Sequence, residues 1–138
     1  MDRSGLIAPD ARIDCDDAVL GLVVRQALSW IDADMDAALA DWHPDGVLIA
    51  PAGRFPLAAI PGAMAEFDAH YTDLEIRITN VFANPAGDRV AIEWLWTVTR
   101  RADGARRATE DAILCDLVDG KILSWREYFD TATSVETP

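Results

Sequence analysis

Two carboxylates late in the chain, Asp111 and Glu127, lie in alternating segments crowded with large aromatic residues. WREYFD places Trp125, Glu127 and Phe129 on one face of a strand, and Arg126, Tyr128 and Asp130 on the other. EDAILCDL puts Asp111 on a face with Ile113, Cys115 and Leu117. A carboxylate among apolar neighbours resists ionisation, and two held together cannot both ionise easily, so one keeps its proton near neutral pH. General acid–base chemistry uses that arrangement.

Whether the two faces coincide depends on the hairpin LVDGK. A turn with a bulge at Gly120 pairs Leu117 with Lys121, Ile113 with Trp125 and Asp111 with Glu127, and this is the preferred register. A two-residue turn slips the pairing by one and sets Ala112 opposite Glu127. The earlier turn RADGAR, read as Arg101 opposite Arg106, brings Trp96 to Asp111 and Val98 to Thr109. Trp94, Trp96, Thr109, Trp125 and Phe129 then form a substrate wall. The indole N–H groups of Trp94 and Trp96 can hold a substrate oxygen or Asp111 itself.

His70 follows Phe67 in a helical pattern and precedes Tyr71, so it is a third catalytic candidate, a base or proton shuttle at a cavity rim. His43 precedes Pro44 and reads as a loop residue, and Arg54 as a partner of surface acids. Cys15 and Cys115 match neither a metal spacing nor a disulfide framework. Cys115 reads as a small buried residue.

The elements that must position these groups follow from periodicity. Residues 1–14 lack a period and read as an N-terminal arm. Asp14, Asp16 and Asp17 can start a helix whose apolar stripe includes Val19, Val23, Ala27 and Trp30. A second helix carries Met35, Leu39 and Trp42. HPDG is a turn before the strand VLIAP, GRFPLAAIPG is irregular, and Pro61 opens a third helix with Met64, Phe67 and Tyr71. From Asp73 the period becomes two, giving four sequential strands and a polar tail, 132–138. The expectation is an α+β domain in which three N-terminal helices pack in the concave face of a strongly curved, mostly antiparallel sheet that encloses a cavity.

With 138 residues, 51% of them apolar, the chain is long enough for one core and too short for two. A net charge of −12 argues against nucleic acid and against anionic membranes. No segment approaches the roughly 20 apolar residues of a membrane span, and the N-terminus lacks a secretory h-region. A cytoplasmic location is expected.

EWLWTVTRRADG, EDAILCDLVDGKI and WREYFD together resemble the nuclear transport factor 2-like superfamily and its SnoaL-like branch, over roughly residues 16–130. The resemblance implies a SnoaL-like domain over 15–131, a cystatin-like cone with a deep apolar internal pocket, usually no cofactor, and often a homodimer through the outer face of the sheet. Leu95, Leu114 and Ile122, expected to point outward, would suit that contact. The last strand is similar to that of limonene epoxide hydrolases, Trp-Arg-acid-Tyr-Phe-Asp, with Glu127 on the inward acid. That type also has an Arg and a second Asp on its third strand, where this chain has Trp94 and Trp96. Its water-holding Tyr and Asn fall on Leu48 and Ala50, so Leu48 joins the substrate wall. The resulting expectation is a cofactor-independent acid–base enzyme of isomerase, cyclase, dehydratase or lyase type, acting on a small apolar or aromatic molecule. An epoxide hydrolase and a non-catalytic binding module are the alternatives.

Overall fold

The computed structural model describes residues 5–131 and the backbone of Val135–Glu136. Strand β1 (Ile7–Asp14) is followed by helices α1 (Asp17–Ile31) and α2 (Met35–Leu39), then strands β2 (Trp42–Ala50) and β3 (Gly53–Pro56). A short 3-10 turn (Leu57–Ala59) leads into α3 (Ile60–His70). The long strands β4 (Tyr71–Ala83), β5 (Arg89–Arg100), β6 (Arg106–Val118) and β7 (Lys121–Tyr128) follow, and β8 is Val135–Glu136.

Strand order is β1-β4-β5-β6-β7-β2-β3, with β8 paired to β6. β4 to β7 form the expected antiparallel series, while β1 joins β4 and β2 joins β7 in parallel. The path has two ends: the sheet is open and not strongly curled, so the expected cystatin-like cone is corrected to an α+β domain with an open sheet. Closure would need β1 to meet β3, and each instead ends the row with one bonded neighbour.

Residues expected as an arm thus contribute an edge strand, whose backbone groups pair with residues 78–82 of β4. The HPDG turn and the start of GRFP are likewise drawn into β2 and β3. Gly46 allows this, because a Cβ there would meet the Trp42 ring at 2.7 Å and the carbonyls of His43 and Ile122 at 2.9 Å. The tail 132–138 lies outside the described side chains.

Helices α1 and α2 start on side-chain caps, and α3 on a proline. Asp16 accepts from the Val19 N–H at 2.9 Å, Asp34 accepts from the Ala37 N–H at 3.1 Å, and Pro61 occupies the first turn of α3. Val23 and Ala27 of α1 and Ile60 of α3 share one buried cluster with Ile78, Ile92, Ile113 and Ile122 of the sheet. This core lies on the sheet face that carries Asp111.

Candidate functional site

The β6–β7 hairpin corrects the expected register while preserving the expected face. Asp119 and Gly120 both have positive φ, 51° and 75°, which makes a two-residue loop closed by Val118 opposite Lys121. Such a loop alone would turn Glu127 away from the Asp111 face. A bulge intervenes: Leu117 pairs with Ile122 and Asp116 with Ser124, leaving Leu123 unpaired. Beyond it Cys115 faces Trp125 and Ile113 faces Glu127. Asp111 and Glu127 are therefore diagonal neighbours on the inner face, not direct opposites. The two-residue loop sets Ile122 opposite Leu117, so of the three residues expected outside, Ile122 is inward and fully buried while Leu114 is 51% exposed and Leu95 half-buried.

The β5–β6 turn shifts its register by two. Arg100 N–H donates to the Ala105 carbonyl at 2.9 Å, and Gly104 ends the loop at φ 72°. Trp94, not Trp96, is then opposite Asp111, and Trp96 is opposite Thr109. A shift of two keeps every side chain on its face.

Asp111 is 5% exposed and Trp94 2%. Burial, then the Glu127 charge and a hydrogen bond with Glu127, push the Asp111 carboxyl up to about 9, against a weaker opposing pull from Trp94. Burial raises Glu127 too, while hydrogen bonds from Trp125 and Asp111 draw it back. The Trp125 Nε1–H donates to Glu127 Oε1 at 3.1 Å. The two groups thus titrate as a pair in which Glu127 ionises first and accepts from the Asp111 carboxyl. Asp111 Oδ1 and Trp94 Nε1 are both buried without a hydrogen-bond partner within the described structure. The pull of Trp94 on Asp111 is thus that of a neighbouring N–H dipole, not of a closed hydrogen bond.

An aromatic row flanks the pair. Trp125 and Trp94 have ring centroids 5.8 Å apart, Trp94 and Trp96 6.4 Å, and Trp96 meets Phe67 at 5.2 Å and Trp30 at 6.0 Å, both edge-on. Phe67 stacks on Tyr71 at 5.2 Å. Trp30 and Phe67 escaped the sequence reading of the site because helical spacing marks an inward face without naming the strand residue it meets. Leu48 is buried, pairing with Trp125 on one side and Phe55 on the other. Phe129 follows the last residue of β7 and is half-buried.

His70 is not brought to the pair. Its Nε2 is 2.8 Å from Glu66 Oε1, with the His70 side chain 63% exposed. Tyr71 lies opposite Arg100, six positions along β5 from Trp94, or roughly 20 Å at the rise of a strand. His70 instead borders a surface hollow of about 360 Å³ with Tyr71, Arg100 and Arg101. A second hollow, about 310 Å³, lies between α1 and α2 beside Asp41, and neither contains Asp111 or Glu127.

A family model for the SnoaL-like domain matches residues 24–125. The chain belongs to the SnoaL-like domain family. Solved structures share its fold. A protein from Catenulispora acidiphila DSM 44928 with a ketosteroid isomerase-like fold, in complex with trimethylamine, is 22% identical, with a TM-score of 0.73 over 80% of this chain and 85% of that one. An NTF2-like protein from Burkholderia pseudomallei K96243 is 15% identical, with a TM-score of 0.76 over 85% and 94%. An LEH-like epoxide hydrolase from M. tuberculosis is 19% identical, with a TM-score of 0.69 over 83% and 84%. No curated protein matches significantly. The SnoaL-like match ends at Trp125, two residues before Glu127.

Proposed function

We propose that this SnoaL-like domain is a cofactor-independent acid–base enzyme acting on a small apolar or aromatic molecule bound against the inner face of the sheet. The observation that carries the reading is a buried Asp111 beside a half-buried Glu127 among tryptophans, with the Asp111 carboxyl kept protonated by its burial and then by the Glu127 charge. Asp111 would give a proton to a substrate oxygen while Glu127 takes one from a neighbouring carbon or hydroxyl, the division that isomerase, cyclase, dehydratase and lyase steps share. Trp94, Trp96, Trp125, Phe129, Thr109 and Leu48 would supply the apolar wall. The fold is shared with an epoxide hydrolase and with a protein that holds trimethylamine, which supports small-molecule chemistry in general terms. Trp94 and Trp96 stand where an epoxide hydrolase set would need charged groups, which favours proton transfer over epoxide opening. His70, held by Glu66 at the far end of the row, is left out of the proton-transfer step.

A non-catalytic binding module is the second reading, favoured by the same three tryptophans, since an aromatic wall serves binding as well as turnover. The two readings separate by experiment. Carboxyl carbon titration by NMR on the wild type should give one group titrating well above neutral pH, and Glu127→Gln should lower the Asp111 value by removing the neighbouring charge. Screening small aromatic ketones, alcohols and epoxides for turnover, with Asp111→Asn as control, then tests catalysis. Both carboxyls titrating near 4 would end the enzyme proposal.

A further inference from the structure

Two buried polar atoms beside the carboxyl pair lack a partner among the described residues. Trp94 Nε1 and Asp111 Oδ1 come from residues directly opposite on β5 and β6, both more than nine-tenths buried, and neither is satisfied within the described structure. An unpaired buried polar atom is costly, and two at one cross-strand position define the chemistry that would complete them. Trp94 Nε1–H can only donate. A carboxyl oxygen that carries no proton accepts, so Asp111 Oδ1 can serve as the acceptor. A ketone or ether oxygen only accepts and an ammonium only donates, whereas a hydroxyl does both through one oxygen.

We propose that the polar end of the ligand is a neutral hydroxyl, of an aromatic or apolar alcohol or phenol, that accepts from Trp94 Nε1–H and donates to Asp111 Oδ1. The ring or alkyl body then lies along Trp94, Trp96 and Trp125. The net charge of −12 and the Glu127 carboxylate beside the site discriminate against phenolates and carboxylates, so the neutral form is selected. This assignment rests on the location of the proposed acid–base site and narrows its substrate class.

The test compares three probes of like shape: 2-naphthol, 2-methoxynaphthalene and naphthalene. Dissociation constants come from tryptophan fluorescence titration, with the Trp94 indole N–H followed by NMR. The expected result is binding of 2-naphthol at least tenfold tighter than the ether, with a downfield shift of the Trp94 N–H. In Trp94→Phe, checked for folding by thermal melt, the preference should fall to within about threefold. Should that variant not fold, Asp111→Asn serves, because its carboxamide changes the donor–acceptor pattern at almost constant volume. Equal affinity for naphthol and ether overturns the proposal, as do binding of neither, an unchanged preference in both variants, and a naphthol complex in which only water bridges the two atoms. A hydroxyl preference without turnover of any alcohol would sink the enzyme reading and leave the hydroxyl site standing. A coupled carboxyl titration without the preference would do the reverse.

Discussion

Replacing Asp111 by Asn should change how stability depends on pH, in a direction the site dictates. In the folded chain Asp111 keeps its proton up to about pH 9, whereas an unfolded Asp releases it near 3.9. Between those values the native state binds one more proton than the unfolded state, so stability falls as pH rises. The contribution is fully present below about pH 4, and its loss is complete only above about pH 9. Within the window the slope is about −1.4 kcal/mol per pH unit, or about 4 kcal/mol between pH 5 and pH 8. Solvent screening does not reduce this much, because Asp111 is 5% exposed. Asn cannot ionise, so the variant lacks the slope and gains on the wild type as pH rises. Urea melts at pH 5, 6, 7 and 8 measure it. With an m-value of about 2 kcal/mol/M, the difference between the two midpoints should change by about 2 M across the series. A difference constant with pH would refute the argument, because a carboxyl that ionises normally in the folded chain produces no differential slope.

Other perturbations test the parts that build the site. Trp125→Phe removes the N–H that donates to Glu127, so the Glu127 carboxyl should titrate at higher pH, read from its carboxyl carbon shift. Deleting Leu123 removes the unpaired residue of the bulge while Asp116 still meets Ser124 and Cys115 still meets Trp125, so the raised Asp111 value should survive by NMR titration. Gly46→Ala drives a Cβ into two backbone carbonyls and should cost about 1–3 kcal/mol by urea melt. Asp16→Ala removes the α1 cap and should cost about 1 kcal/mol in the same assay.

The amino-acid sequence by itself determined what depends on near neighbours. Asp16 and Asp34 start their helices through bonds three residues away, and the alternation from Asp111 to Leu117 decides which side chains turn inward. It also led to the carboxyl pair on a shared face with Trp94, Trp96 and Trp125. Tertiary structure decided the rest, because pairing across strands is a competition between turns. The loop at Asp119–Gly120 alone would have reversed Glu127, and only the exclusion of Leu123 from the ladder restored it. Parity was legible from hydrophobic alternation, since either face must be wholly buried or wholly wet, but a shift of two residues costs no change of face and leaves no trace in the pattern. That is why Trp94 and not Trp96 faces Asp111. Closure was equally hidden: whether β1 and β3 meet depends on twist and coiling summed over the whole sheet, and here they remain two separate edges. His70 lies on the right helix and at the wrong end of it, because a helix face specifies direction but not distance along the strands beneath.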